Sequence, residues 1–387
     1  MITPINYNEI DNVANKKPDF GSNFNIVLTG GGTAGHIYPA LACAEELKDR
    51  GHNVFFAGTP GGIEAKLVPA AHISFKPFEA SGFNRKHPST LIKGTAKILK
   101  SESAAKKWLQ KVDANAVVGF GGYVSLPVAM AAESLGIPVV IHEQNSYMGM
   151  ANKRLSHKAA ATCLTYMCAA EGTGAANTIL TGNPVRRDVL QTSRASGRAQ
   201  FNIPQDATLM LVFGGSLGAR HINQAICAMK EDLFSHENLH IIHVTGPREQ
   251  ERVEEVLAFT PEQKTRYHVF GYLDNMPAAL SAADFVVSRS GATSLAEISA
   301  LKIPAVLVPY PHATADHQTL NAKEYVSAGC AYAVPDAEVD GDKFRECVLE
   351  LIECADVRVR MSECANKLKT YDAAKNLADV IENVIGK

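Results

Sequence analysis

Two glycine-rich segments each follow a short apolar run and precede a helical pattern. The first, GGGTAGHIYPA at residues 30–40, follows NIVLT, and the second, GGSLGARH at residues 214–221, follows LMLVF. In a parallel α/β sheet, such a turn presents free backbone N–H groups at a helix N-terminus, and these groups bind phosphate oxygens. The sequence therefore predicts two anion-binding turns, one in each half of the chain.

A histidine, His36, directly follows the last glycine of the first segment. An imidazole titrates near neutral pH, and a helix N-terminus favours its neutral form, so His36 could serve as a general base or as a phosphate ligand. Capping or packing at a helix start would use the same residue. Spacing alone also leaves His142 and Glu143, at the end of a later apolar run, as alternative bases.

The second half of the chain carries polar groups suited to a sugar nucleotide. Glu297 lies about two turns into a helical segment, where a carboxylate can accept hydrogen bonds from a ribose diol. Asp316, Gln318 and Asn321 follow the next apolar run and suit sugar hydroxyls. Arg186, in GNPVR near the middle of the chain, could reach a diphosphate. These residues predict a site for a sugar and a diphosphate, although the segments at 288–297 and 316–321 could each be only a solvated loop.

A nicotinamide-dependent oxidoreductase is an alternative, because Gly30, Gly32 and Gly35 satisfy GxGxxG. That motif requires an acidic residue about 20 positions later, at the end of the second strand, to bind the ribose. The corresponding segment, NVFFAGTP, has no Asp or Glu. We therefore rank this alternative below the others.

Metal-binding patterns are weak. The chain has eight cysteines but no CxxC pair, which indicates reduced, mostly buried thiols. Asp340 and Asp342 form a DxD sequence, but it lies in a polar loop that we expect to be a turn far from both glycine-rich segments. We predict no metal and no cofactor.

Short apolar runs alternate with helix-length segments throughout, which predicts an α/β protein of two Rossmann-like, doubly wound domains facing one another across a cleft. We expect an N-terminal extension at 1–22, an N-terminal domain at 23–185, a C-terminal domain at 186–355 and a C-terminal helix at 356–387 that packs back on the N-terminal domain. The predicted strands are 25–29, 53–58, 116–119, 139–142, 161–164, 178–181, 209–213, 240–245, 267–270, 284–288, 305–309 and 330–334.

Bulk composition excludes several classes of protein. The 387 residues have a formal net charge of −2, which gives no general reason to expect nucleic acid binding. No window approaches the roughly 18 consecutive apolar residues of a membrane span. Residues 1–22 lack the apolar run of a secretory signal. We expect a cytoplasmic protein.

One segment, from Arg85 to Lys111, is strongly basic. It contains eight Lys and Arg residues against Glu102, a net charge of +7. Such a segment could be an ordinary amphipathic surface helix, or it could dock on an anionic bilayer, where each basic residue contributes roughly 1 kcal/mol. Its apolar residues recur near helical spacing: Leu91, Ile98, Ala105 and Leu109, with Trp108 beside them.

Seven motifs occur in order from about Asn25 to the C-terminal helix: GGTAGHIYPAL, GFGGYVSLP, HEQNSYMG, TGNPVR, GGSLGARHIN, RSGATSLAEI and DHQTLNA. Together they closely resemble the bacterial MurG family, the N-acetylglucosaminyltransferases that make lipid II from lipid I for peptidoglycan synthesis. The resemblance implies a GT-B fold, UDP-N-acetylglucosamine as donor and lipid I, which is undecaprenyl-diphospho-MurNAc-pentapeptide, as acceptor. It also implies a peripheral location on the cytoplasmic face of the membrane.

The resemblance carries site residues onto this sequence. The donor site it implies comprises Thr33, Ala34, Gly35, Asn145, Arg186, Ser216, Leu273, Ala292, Thr293, Ser294, Leu295, Ala296, Glu297 and Gln318. The acceptor diphosphate site comprises Gly31, Gly32, Gly35, His36, Gly121, Gly122 and Tyr123. In this interpretation Glu297 holds the ribose, Arg186 lies near the diphosphate, and His36 or Glu143 acts as the catalytic base.

Two further alternatives share this fold. A UDP-N-acetylglucosamine 2-epimerase would use the same donor, but it needs no bilayer docking and no HEQN segment. A non-catalytic UDP-sugar-binding subunit would supply only half of a split transferase, whereas both glycine-rich turns occur on this chain.

Overall fold

The computed structural model describes residues 23–79, 89–215, 217–368 and 372–386, with only the backbone of residues 89–97 and 99. Thirteen strands occur in these residues: β1 Asn25–Thr29, β2 Asn53–Gly58, β3 Ser74–Pro77, β4 Ala116–Gly119, β5 Val139–Glu143, β6 Ala161–Leu164, β7 Thr178–Leu180, β8 Thr208–Phe213, β9 Leu239–Val244, β10 Tyr267–Phe270, β11 Phe285–Ser288, β12 Ala305–Leu307 and β13 Ala331–Ala333.

The helices alternate with these strands. The α-helices are α1 Ala34–Asp49, α2 Glu64–Ala70, α3 Ser89–Lys111, α4 Ser125–Ser134, α5 Met150–Ser156, α6 Arg187–Gln191, α7 Arg194–Gln200, α8 Arg220–Ala228, α9 Lys230–Ser235, α10 Gln250–Leu257, α11 Pro261–Lys264, α12 Met276–Ala282, α13 Ala292–Ala300, α14 His317–Ala328, α15 Asp342–Glu353, α16 Ala355–Cys364 and α17 Ala373–Ile385. Short 3₁₀ helices are Met167–Ala170, Thr314–Asp316, Asp336–Glu338 and Ala365–Leu368.

The strands form two parallel sheets, one in each domain. The N-terminal sheet has the order β3-β2-β1-β4-β5-β6-β7, and the C-terminal sheet has the order β10-β9-β8-β11-β12-β13. The strand order reverses between β1 and β4 in the first sheet and between β8 and β11 in the second. Ligands of doubly wound sheets bind at these switch points, outside the carboxyl ends of the strands. Each glycine-rich turn follows the first strand of a switch point.

The predicted two-domain α/β architecture is confirmed. All twelve predicted strands are present within a residue or two of their predicted ends. The central strands are covered on both faces and are therefore continuous apolar runs. β3 was not predicted. Its sequence, SFKP, is short and lies at the sheet edge with no residue fully buried, so it lacks the apolar signal of the central strands.

The C-terminal segment is not one helix, as the sequence suggested, but two helices that pack on different domains. In α16, Val357 and Met361 lie one turn apart and join the core of the C-terminal domain. In α17, Leu377, Ala378 and Ile381 pack into the core beneath α1 of the N-terminal domain. The chain therefore crosses between the domains again before its last helix.

Charged contacts accompany the packing of α17. Arg50, which ends α1, contacts Asp379 at 2.6 Å and Glu382 at 2.7 Å, and His52 contacts Glu382 at 2.9 Å. The Arg50 side chain is 19% exposed, so these pairs are shielded from solvent more than ordinary surface pairs. They fix the last helix to the N-terminal domain.

The basic segment forms α3 over its described part, whereas residues 85–88 lie outside the described residues. Ala105 and Leu109 are fully buried in the core, and Trp108 packs on Phe78 with ring centroids 5.6 Å apart. The apolar residues of this half of the helix therefore face the protein and not a bilayer, which corrects that part of the amphipathic prediction. No helix among the described residues is long and apolar enough to cross a membrane.

Candidate functional site

The turns that follow β1 and β4 pack against each other backbone to backbone. Gly122 has φ +82°, and a Cβ on it would lie 2.4 Å from the Gly31 carbonyl oxygen, so only glycine fits there. Gly32 is exposed, with no atom within 4 Å of its Cβ direction, and Tyr123 is 53% exposed. The predicted acceptor residues of the two turns therefore lie together at the N-terminal switch point.

His36 lies in the first turn of α1, directly above these glycines. Its Nδ1 is 2.8 Å from the Gly31 carbonyl oxygen, which can only accept, so Nδ1 carries the proton in this contact. Its Nε2 faces the neighbouring turn, where a Cβ on Gly121 would lie 3.1 Å away. The ring is half-buried. The hydrogen bond to Gly31 thus leaves Nε2 with a lone pair at the cleft, as a general base requires.

Glu143 lies at the end of β5, and both of its carboxylate oxygens are occupied. Oε1 accepts from the backbone N–H of Asn145 at 3.1 Å and from its side chain at 3.3 Å. Oε2 accepts from the N–H of Gly149 at 3.0 Å and from Asn152 at 2.9 Å. The residue is 3% exposed. Glu143 therefore holds the HEQNSYMG loop in shape, and its geometry does not support the predicted role as base.

His142 is also unsuited to that role. Its Nε2 donates to the Gly182 carbonyl oxygen at 2.9 Å, and its Nδ1 accepts from Gln144 at 3.1 Å. Full burial lowers the pKa of His142 to about 4. Of the three candidate bases, only His36 has an uncommitted nitrogen at the cleft.

The structural role of Glu143 predicts that Glu143→Gln lowers stability more than catalysis. The new amide would place an N–H donor against existing donors, and we expect a loss of about 3 kcal/mol in the free energy of unfolding. The folded fraction should keep its kcat within about ten-fold, because both carboxylate oxygens of Glu143 are occupied by the loop and are not available to take a proton. Chemical denaturation and steady-state kinetics measure the two effects. An unchanged unfolding midpoint with kcat reduced a thousand-fold would instead identify Glu143 as the base.

The two domains contact each other at the N-termini of α1 and α13, the helices that follow the switch-point strands β1 and β11. Thr293, in the first turn of α13, donates from Oγ1 to the Gly35 carbonyl oxygen at 3.2 Å. Below it, Asn321 accepts from the Ser146 N–H at 2.8 Å and donates to Asn145 at 3.3 Å. The predicted residues Gly35, Asn145 and Thr293 thus lie at the domain contact, and the helix that carries His36 meets the helix that carries Glu297.

Arg186 and Glu297 contact each other directly. Arg186 donates from Nε and Nη2 to Oε1 of Glu297 at 3.2 and 3.0 Å, and its guanidinium carbon lies 4.3 Å from the centre of the Tyr38 ring. The side chains are 18% and 9% exposed. Burial raises the pKa of the Glu297 carboxyl, and the Arg186 guanidinium opposes that shift. No hydrogen bond within the described chain reaches Oε2 of Glu297, which leaves an acceptor for a ribose hydroxyl.

Several predicted donor residues do not reach the cleft with their side chains. Ala292, Leu295 and Ala296 lie on the inner face of α13 and are at most 6% exposed, because helical periodicity turns them toward the protein interior. The Leu295 N–H donates to Gly291 and its carbonyl accepts from Tyr325, so its backbone is also committed. Side-chain contacts from these three residues to a ligand, and backbone contacts from Leu295, are therefore unsupported.

The remaining donor residues differ in their accessibility. Thr33 is exposed, whereas Ala34, Leu273 and Ser294 are half-buried. Gln318 accepts from the Tyr310 N–H at 3.0 Å, and its Nε2 has no hydrogen bond within the described chain, so that amide remains available to a sugar hydroxyl. Ser216 lies outside the described residues. Asp316 is exposed and accepts a hydrogen bond from Thr319.

We expected the DxD sequence to lie far from both glycine-rich turns. It lies instead beside the second one. Asp340 contacts Nε2 of His221 at 2.9 Å, and His221 is in the first turn of α8, directly after that glycine-rich segment. Asp336 contacts the other ring nitrogen at 2.9 Å, and the two carboxylates raise the pKa of His221. Asp342 begins α15. Asp340 is therefore a partner of a histidine, and no metal-binding cluster of His, Cys, Asp and Glu occurs in the described residues.

Sequence reasoning did not find Tyr38, on which Arg186 stacks. Tyr38 lies two residues after His36 in α1, and its contact with Arg186 joins the N-terminal domain to the segment that leads into the C-terminal domain. No local pattern connects residues so distant along the chain.

Two family models match this chain. The glycosyltransferase family 28 N-terminal domain matches residues 26–164, and the glycosyltransferase family 28 C-terminal domain matches residues 209–377. A relative from Carboxydothermus hydrogenoformans, named UDP-N-acetylglucosamine–N-acetylmuramyl-(pentapeptide) pyrophosphoryl-undecaprenol N-acetylglucosamine transferase, is 39% identical over 93% of this chain and 97% of its own length.

Solved structures agree with this relationship. MurG from Acinetobacter baumannii superposes with a TM-score of 0.73 at 28% identity, covering 93% of this chain and 99% of its own. A UDP-N-acetylglucosamine 2-epimerase from Neisseria meningitidis has a TM-score of 0.67 over 93% of this chain and 100% of its own, but at 15% identity that likeness shows the fold alone. With both family 28 domains present and 39% identity to a transferase over nearly the whole length, the chain belongs to the MurG family of glycosyltransferases.

Proposed function

We propose that this chain transfers N-acetylglucosamine from UDP-N-acetylglucosamine to the C4 hydroxyl of MurNAc in lipid I, forming lipid II for peptidoglycan synthesis. The observation that carries the proposal is the contact between the two switch points, where Thr293 bonds to Gly35. This contact supports a shared cleft for the uncommitted nitrogen of His36 and the Arg186–Glu297 pair. The names of the relatives supply the substrates.

The reaction is a single inverting displacement. Nε2 of His36 takes the proton of the C4 hydroxyl as its oxygen attacks the anomeric carbon, and the bond from that carbon to the UDP oxygen breaks. The product has a β-1,4 bond, and the UDP diphosphate leaves with the electron pair. The hydrogen bond from Nδ1 to Gly31 steadies the imidazolium that forms.

The acceptor diphosphate and the leaving UDP diphosphate are bound by separate groups of hydrogen-bond donors. The backbone N–H groups of the turns at Gly31–Gly32 and Gly121–Gly122, next to the exposed Tyr123, suit the acceptor diphosphate. Arg186 suits the leaving diphosphate, with Glu297 on the ribose and Gln318 near the sugar hydroxyls. Hydrogen bonds and positive charge aimed at the leaving group stabilise the transition state.

Transfer of radiolabelled N-acetylglucosamine to a lipid I analogue tests the proposal, without added metal and again with a chelator. We expect labelled lipid-linked disaccharide and no effect of the chelator. UDP-N-acetylglucosamine converted to its 2-epimer, with no labelled disaccharide, would favour the epimerase. Donor binding without either reaction would favour a non-catalytic binding subunit.

We also propose that the basic segment at 85–111 docks the enzyme on the cytoplasmic face of the membrane, where a lipid-linked acceptor resides. Lys100, Lys107 and Lys111 are exposed on the described part of α3, whereas Ala105 and Leu109 are buried. The exposed lysines, and not the buried apolar residues, can therefore contact the bilayer. Each basic residue contributes about 1 kcal/mol of attraction to anionic lipid.

Co-sedimentation with vesicles tests this docking. We expect the chain to bind vesicles containing phosphatidylglycerol and not purely zwitterionic vesicles, with binding that weakens as salt rises. The variant Lys107→Gln/Lys111→Gln should bind the anionic vesicles roughly ten- to thirty-fold more weakly than the parent. Lys264→Gln/Lys343→Gln removes the same charge from exposed positions of the C-terminal domain and is the matched control. Equal losses in both variants would contradict docking through α3.

A further inference from the structure

Tyr38 contacts Arg186 in the segment that leads into the C-terminal domain, although its place in the motif GGTAGHIYPAL gave it no role. It lies in α1, and the Arg186 guanidinium lies over its ring at 4.3 Å from the centroid. The Tyr38 ring is half-buried and packs against the core of the N-terminal domain. We propose that Tyr38 is a positioning residue that holds Arg186 in place for the donor diphosphate, an inference that rests on the proposed function of Arg186.

The geometry around Arg186 explains why a ring face is needed. Glu297 engages Nε and Nη2 of the guanidinium from one side, and Asp188 lies 3.6 Å from Nη1. These carboxylates constrain the edge of the guanidinium, while the Tyr38 ring constrains its face. An arginine restrained on both edge and face loses less conformational freedom when it binds a phosphate.

The chemistry of the contact suits a shielded site. The negative face of an aromatic ring attracts a cation, and the attraction grows as the pair is removed from water. The Arg186 side chain is only 18% exposed. Burial raises the pKa of the Tyr38 hydroxyl, with the neighbouring Tyr272 and Glu297 adding to the shift while Arg186 opposes it, so the ring remains neutral.

The position of Tyr38 also determines which kinetic constant should change. Tyr38 contacts the group that faces the donor, whereas Gly31 precedes α1 and packs against Gly122 in the turn that follows β4. Losing the ring should therefore weaken donor binding and leave the KM for lipid I nearly unchanged. If Tyr38 served only in packing, its loss would lower stability without weakening donor binding more than it changes the KM for lipid I.

Titration calorimetry with UDP and UDP-N-acetylglucosamine tests the proposal without any acceptor. We expect Tyr38→Leu to raise the Kd of both by about three- to ten-fold, because the Arg186 side chain must then be ordered when the ligand binds. Tyr38→Phe keeps the ring and should bind within about two-fold of the parent. Pentafluorophenylalanine at position 38 keeps the shape but reverses the charge distribution of the ring, so it should weaken binding as leucine does.

The decisive measurement is a double-mutant cycle between Tyr38 and Arg186, with the Kd of UDP as the readout. In an Arg186→Ala background, Tyr38→Leu should have almost no further effect on the Kd of UDP, because the group it positions is absent. Phe234→Leu, which removes the ring under Arg266 far from the cleft, is the matched control and should leave UDP binding unchanged. Additive losses, or full affinity with the fluorinated ring, would overturn the proposal.

The outcome for Tyr38 is separable from that for the proposed function. Should the parent bind UDP but fail to transfer sugar to lipid I, the transfer proposal fails, while the calorimetric comparison still decides the role of Tyr38. Should the parent transfer sugar while Tyr38→Leu binds UDP normally, only the inference about Tyr38 fails.

Discussion

His36→Ala should lower kcat by about a hundred- to ten-thousand-fold, the contribution of a positioned general base. The Kd of UDP should change by less than about three-fold, because Nδ1 of His36 bonds to Gly31 and Nε2 faces the acceptor turn, with no contact to the donor residues Arg186 and Glu297. Steady-state kinetics with both substrates and calorimetry with UDP measure the two quantities.

His36→Gln is the control for this prediction. A glutamine amide can still donate to the Gly31 carbonyl, so the turn keeps its hydrogen bond, but an amide cannot take a proton near neutral pH. It should therefore lose as much kcat as the alanine variant. Recovery of kcat with glutamine would show that His36 only shapes the turn, and the assignment of the base would be wrong.

The sequence was most informative at positions where a single physical requirement determines the residue type. Glycine at 122 is required because any Cβ would collide with the Gly31 carbonyl, and the central strands are apolar because both faces are covered. Such local requirements are visible as motifs and as apolar runs. They were sufficient to predict the two domains and the helix start at which His36 lies.

The parts that the sequence did not predict depend on long-range geometry. Glu143 and His36 were equal candidates by residue type, and only the four donors around the carboxylate distinguish them. Leu295 and Ala296 share a motif with Glu297, but their side of α13 faces the interior. Asp340 is distant in sequence from the second glycine-rich turn and yet contacts the helix that follows it.

Glu297→Gln should raise the KM for UDP-N-acetylglucosamine by about a hundred-fold. A charged acceptor contributes about 1.5–3 kcal/mol to each hydrogen bond, and the amide loses this charge toward the ribose hydroxyls as well as toward Arg186. The kcat at saturating donor should fall far less than in His36→Ala, because Glu297 contacts no reacting atom in the proposed mechanism. Kinetics over a wide range of donor concentration measure both constants.

The same substitution should also destabilise the protein, because it leaves the 18% exposed Arg186 without its main counter-ion. Breaking a buried ion pair from one side costs about 3–5 kcal/mol, whereas replacing both partners by uncharged groups costs much less. The double variant Glu297→Gln/Arg186→Met should therefore regain much of the unfolding free energy that the single variant loses, because no charged group of the pair is left without a partner. If the double variant were no more stable than Glu297→Gln, the loss of stability would not come from an unpaired Arg186. If Glu297→Gln kept the parent's KM for UDP-N-acetylglucosamine, Glu297 would not be the ribose ligand.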